Sequence, residues 1–109
     1  MNELIKLVEQ WSKDKGLDQT DSSKQALKFF EEAGEVSAAL ARNNKSDLKD
    51  AIGDTVVTLI ILGQQQGMSL ERCLATAYDE IKGRKGKTVN SVFIKEEDLN
   101  GEDNRNDRL

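Results

Sequence analysis

The chain has 109 residues, 37% of them hydrophobic and 33% charged, and carries a net charge of −4. It has no proline, no histidine and a single cysteine, Cys73. Those absences exclude a disulfide framework, Ser-His-Asp and Cys-His nucleophilic sites and every histidine-ligated zinc site. Chemistry here must use carboxylates, amines, hydroxyls, amides or a bound ion. The shortage of aromatics and the lack of proline argue for helices over a β-sandwich or barrel. An acidic balance offers no duplex-DNA footprint. The opening MNELIKLVEQ mixes charged and apolar residues, unlike a signal peptide. The longest apolar stretch, Val56 to Leu62, falls far short of the roughly 20 residues of a membrane span. A soluble, cytoplasmic protein without membrane contact is the expectation.

Four helices follow from the 3.6-residue period. The first runs from about Asn2 to Lys15, with Leu4, Leu7, Val8 and Trp11 as its apolar side and Gly16 as its stop. The second runs from Asp21 to Arg42, opened by a Ser22/Gln25 capping box and striped by Phe29, Ala33, Val36 and Leu40. The third spans Ser46 to Gln66 and is closed by Gly67. The fourth starts at Ser69 as N-cap, carries Leu70, Cys73, Leu74, Ala77 and Ile81 on one face, and stops at Gly83. Short connections predict antiparallel neighbours and a four-helix bundle-like, all-α protomer. The apolar residues of the third helix point in every direction, which predicts cover from a second subunit.

Residues 1–95 make the expected domain. Its last part, 82–95, holds Lys82, Arg84, Lys85, Lys87 and Lys95 without one acid, and its Thr88-Val89 and Val92-Phe93-Ile94 suit a short strand. Residues 96–109 read as an acidic, flexible tail.

On the second helix Glu32 and Glu35 fall together on one flank of the apolar stripe, with Lys28 between them and Glu31 further out. On the third, Asp47, Asp50 and Asp54 form a narrow stripe. Asp54 stands at the mouth of the most apolar stretch in the chain, where an unpaired carboxylate is costly. Antiparallel packing lets Glu32/Glu35 face Asp50/Asp54. Four carboxylates without His or Cys suit a hard cation such as Mg²⁺ or Mn²⁺. Beside a basic segment, such a cation suits a polyphosphate substrate. The plain alternatives are a solvated acidic face at Glu31-Glu32, core packing for Trp11 and Cys73, and a basic segment that merely balances the tail.

The stretch Phe29-Phe30-Glu31-Glu32-Ala33-Gly34-Glu35-Val36, followed by Asp50-Ala51-Ile52-Gly53-Asp54, resembles the MazG-like all-α nucleoside triphosphate pyrophosphohydrolases, with their EExxE and ExxD pattern. The segment Glu80-Ile81-Lys82-Gly83-Arg84-Lys85-Gly86-Lys87 is similar to the basic segment of small members. The resemblance implies a dimer or tetramer that uses Mg²⁺ to split a (d)NTP into nucleoside monophosphate and pyrophosphate. It implies Glu32, Glu35 and Asp54 as metal ligands and Lys28 as a phosphate contact. The first acid of ExxD is replaced by Ala51. Asp50, about 40° from Asp54 around the helix against about 60° for position 51, can still face the metal in its place.

The reading is therefore a Mg²⁺-dependent pyrophosphohydrolase with Glu32, Glu35, Asp50 and Asp54 on the metal. Glu31 or Glu35 orients the attacking water, and Lys28, Arg84, Lys85 and Lys87 take the phosphates. Trp11 and Gln25 are the candidates for the base. Its rivals are a non-catalytic helical interaction protein whose metal site decayed with Ala51, and a single-strand nucleic-acid binder, which the acidic total disfavours.

Overall fold

The computed structural model describes residues 2–100. Helix α1 (Asn2–Asp14) ends at Gly16, whose left-handed φ of 74° starts a 3-10 turn over Leu17–Gln19. Helices α2 (Ser22–Ala41) and α3 (Lys45–Gln65) follow, then α4 (Leu70–Ile81). Strands β1 (Gly86–Val89) and β2 (Val92–Lys95) pair antiparallel, and α5 (Glu96–Asn100) closes the described chain. The all-α class is as the sequence predicts, with a hairpin where one short strand was expected. The acidic stretch expected as a tail begins with α5, and residues 101–109 lie outside the described ones. The chain divides after Leu74 into two compact units.

Helix boundaries follow local chemistry. The side chain of Asp21 accepts from the Ser23 amide and caps α2, so the Ser22/Gln25 box is not formed. The connection to α3 is three residues long. Asn43 takes φ 56°, and Asn44 caps α3 by accepting from the Asp47 amide. Ser69 accepts from the Arg72 amide ahead of α4, as expected of an N-cap. The hairpin turns through Asn90 and Ser91, both at positive φ, the geometry that matches strand twist.

The first unit is centred on α2 and α3, which run antiparallel. The start of α2 meets the end of α3 through Gln66 Nε2, which donates to Ser22 Oγ at 2.7 Å. At the other end Arg42 Nη2 lies 3.5 Å from Asp47 Oδ2. Between them the Gln25 amide, buried, donates to the Thr58 carbonyl at 3.4 Å. The core is small: Ile5, Ala39, Ala51, Ile60 and Ile61. Each buried Ile contributes about 1.5–3 kcal/mol.

The expected apolar stripe of α1 is rotated, and that of α2 holds for the half-buried Phe29, Ala33 and Val36 but not for Leu40. On α1 the buried residues are Ile5 and Ser12, while Leu4, Leu7 and Trp11 are exposed. On α2 Leu40 is 65% exposed and Ala39 only 1%. The buried face of α2 therefore runs through Gln25 and Ala39, and Glu32, seven residues from each, stands on it rather than on a flank. Its side chain is 15% exposed. On α3, Ile52 and Val56 are exposed, because α1, α2 and the 3-10 turn cover only one side of it. No residue of α4 is buried, and Cys73, expected in packing, is exposed.

Candidate active site

Two cavities of the first unit share Glu32 and Asp54. The larger, about 580 Å³, lies between α2 and α3 and has Trp11, Leu17, Thr20, Gln25, Val57 and Ile61 among its walls. Asp21, Lys24 and Lys28 line it too. Its size is that of a small-molecule site, apolar with a few convergent polar groups. The smaller, about 370 Å³, is a groove of acids: Glu31, Glu32, Glu35, Asp47, Asp50 and Asp54, with Arg42 and Ala51.

The antiparallel pair explains this convergence. Asp50 and Asp54 stand one turn apart on α3, facing Glu32 and Glu35 from α2. Asp54 is exposed rather than enclosed by the apolar stretch. Partial desolvation, then the charges of Asp50 and Glu32, still push its carboxyl above the ordinary carboxylate range, against the pull of Lys28. Lys28 Nζ sits 3.2 Å from Glu32 Oε1 and 3.7 Å from Glu31 Oε1. Its hydrogen bond to Glu32 and the charge of Glu31 raise its pKa.

The donor set fits a hard divalent cation, being oxygen only and short of positive charge. Its preassembly does not match the expectation. Among the described residues no three carboxylates stand close enough together to ligate one ion. A cation bound there would have to draw these side chains closer and would offset their like charge.

Of the expected site residues, Glu31, Glu32, Glu35, Asp50 and Asp54 meet in the groove, and Trp11, Gln25 and Lys28 in the larger cavity. Arg84, Lys85 and Lys87 belong to the second unit. There Arg84 and Lys85 share a polar cavity with Glu80, Lys95, Glu96 and Glu97. The sequence reading passed over Arg42, whose place at the end of α2, opposite the start of α3, was implied by the antiparallel turn. It also missed Thr20 and Asp21, which follow a 3-10 turn without periodic signature, and Lys24, which reads as a solvent-facing lysine of the first turn of α2.

The comparison with known families places the chain among the all-α, MazG-like pyrophosphohydrolases. Within that class it belongs to the phosphoribosyl-ATP pyrophosphohydrolase family, which matches residues 1–80. Pyrophosphohydrolases of this superfamily generally use divalent metal ions. The chain is also similar to an uncharacterized 18.2 kDa protein from the rep-hol intergenic region of Haemophilus phage HP1 (strain HP1c1), 39% identical over 66 residues. That match covers 60% of this chain and 40% of the phage protein, so the chain spans less than half of that relative's length. No solved structure matches it. Among the described residues no helix is long and apolar enough to cross a membrane.

Proposed function

We propose that this protein hydrolyses nucleoside triphosphates between the α- and β-phosphates, giving a nucleoside monophosphate and pyrophosphate. The observation that carries the reading is the sharing of Glu32 and Asp54 between an apolar cavity and an acidic groove. A nucleoside in the larger cavity has its phosphates at the shared wall. Glu32, Glu35, Asp50 and Asp54 would hold Mg²⁺, with Mn²⁺ as a substitute. When bound, that ion supplies an activated water and draws charge from the phosphate oxygens. Glu31 and Glu35, at the open edge of the groove, are the carboxylates available to orient the water and accept its proton. Lys28, already between carboxylates and cavity, takes charge from the phosphates. Trp11 offers a face to the base and Gln25 an amide.

Incubation with Mg²⁺ and a panel of ribo- and deoxyribonucleoside triphosphates, with phosphoribosyl-ATP as a separate arm, tests the reading. Pyrophosphate release is expected. Orthophosphate release would indicate a different bond, and no release on any substrate would favour the interaction protein that the loss of an acid at Ala51 suggests.

The working form is a homo-oligomer, a dimer or a tetramer. Leu4, Leu7, Ile52, Val56, Leu74 and Tyr78 are exposed, more apolar surface than single scattered residues explain. Sedimentation at micromolar concentration reads the state directly, and a folded 12.1 kDa monomer would overturn it.

A further inference from the structure

Gln64 and Gln65 end α3 and Gln66 caps it, and each donates its side-chain amide to a different element. Successive residues on a helix point about 100° apart, so three in a row fan out widely. Gln64 Nε2 donates to the Glu9 carbonyl on α1 at 3.1 Å. Gln66 Nε2 donates to Ser22 Oγ at the start of α2. Gln65, the middle one, holds the 3-10 turn. Its Nε2 donates to the Leu17 carbonyl and to Thr20 Oγ1, each at 2.9 Å.

Those two acceptors are themselves joined. Thr20 Oγ1 donates to the Leu17 carbonyl at 2.8 Å, closing a triangle, and the Thr20 amide donates to the same oxygen at 3.2 Å. The orientation of the Gln65 amide follows from chemistry: a flipped amide would set its oxygen against the carbonyl of Leu17. The amide oxygen, buried, has no partner among the described residues, so the amide nitrogen does all the holding. Leu17 and Thr20 both line the larger cavity, whereas Gln65 does not. The turn buries no residue, so little apolar packing fixes that wall.

We infer that Gln65 is a positioning residue of the nucleoside cavity, setting the wall formed by Leu17 and Thr20 without touching the ligand. This rests on the hydrolase reading above. Gln66 forms the internal comparison, because its partner Ser22 is not in the cavity wall.

The experiment measures kcat and KM with Mg²⁺ and the best nucleoside triphosphate. Alongside, quenching of Trp11, the sole tryptophan, follows binding of the monophosphate product. Gln65→Ala should raise KM and weaken product binding about tenfold, the scale of one to two lost hydrogen bonds, with kcat within about twofold. Thr20→Val should shift KM the same way, and the double variant should be no worse than the more affected single one. Gln66→Ala should leave KM unchanged. If Gln65→Ala does not fold, Gln65→Glu keeps the size but repels the Leu17 carbonyl, and should raise KM likewise. An unchanged KM with lowered kcat, additive Gln65 and Thr20 effects, or an equal shift from Gln66→Ala would overturn the inference while wild-type turnover stands. A wild type that neither releases pyrophosphate nor shows quenching overturns the hydrolase reading first, and this inference with it.

Discussion

The two cavities that meet at Glu32 and Asp54 are built on opposite principles. The larger is walled by apolar side chains and tied by neutral amides, from Gln25 to Thr58 and from Gln65 to Leu17 and Thr20. Each of those ties satisfies a polar group and lowers the energy of the empty protein. The groove gathers like charges, and the proton affinity of Asp54 is raised there by desolvation first and by the charges of Asp50 and Glu32 after it. On the hydrolase reading, the first cavity is tied together before anything binds, and the groove would be completed by a cation. Stability and function are thus aligned in the first cavity and opposed in the second.

Withdrawal of divalent ions should break that contrast most completely. EDTA should abolish turnover and excess Mg²⁺ or Mn²⁺ should restore it, while Mg²⁺ alone raises the melting temperature by binding the folded state. Full activity in metal-free buffer would sink the groove as the reaction site.

Asp54→Asn removes a charge and keeps the shape. Activity should fall at least about a hundredfold, the scale of losing a charge-stabilising group. Without Mg²⁺ the variant should melt higher than wild type at neutral pH. Because the carboxyl's folded-state pKa is raised, its contribution to stability is full below the unfolded value of about 3.9 and is lost as pH rises through the folded one. The melting gain should therefore fade on acidification. A variant that melts lower than wild type across that range would contradict the repulsion.

Asp50→Asn separates a substitute ligand from a solvated helix turn. A loss of about ten- to a hundredfold, with weaker Mg²⁺ dependence, is expected if Asp50 replaces the acid missing at Ala51. A silent Asp50→Asn beside an inactive Asp54→Asn leaves a three-carboxylate site. Ala51 is 5% exposed, so restoring a glutamate there puts a longer charged side chain into a packed position.

The helices were legible because their ends carry local signals that burial does not override: Gly16 and Gly67 at positive φ and Ser69 as a cap. The acids of the groove were legible because antiparallel helices leave few ways to arrange them. Facing was not. Leu4, Leu7 and Trp11 on α1 form a second apolar stripe that stays exposed, as does Leu40 at the end of α2, and a periodic reading merges them with the core face. Ser12 and Gln25 mislead in the other sense, polar residues on buried faces. Glu32 was placed on a flank for the same reason. The glutamine ties carried no signal at all, since three polar residues at a helix end read as solvent-facing.

The three-residue corner that pivots on Asn43 has a consequence for how this protein tolerates changes of length. One residue added there costs the Asn44 cap where the corner absorbs it, and where α3 takes it up turns that helix by about 100° and slides it about 1.5 Å relative to α2. Asp50 and Asp54 would swing away from Glu32, and the Gln25 tie to Thr58 would be lost with them. Insertions and deletions should therefore be almost absent from this corner among working variants. The hairpin tip at Asn90 and Ser91, where no such register is at stake, should accept them freely.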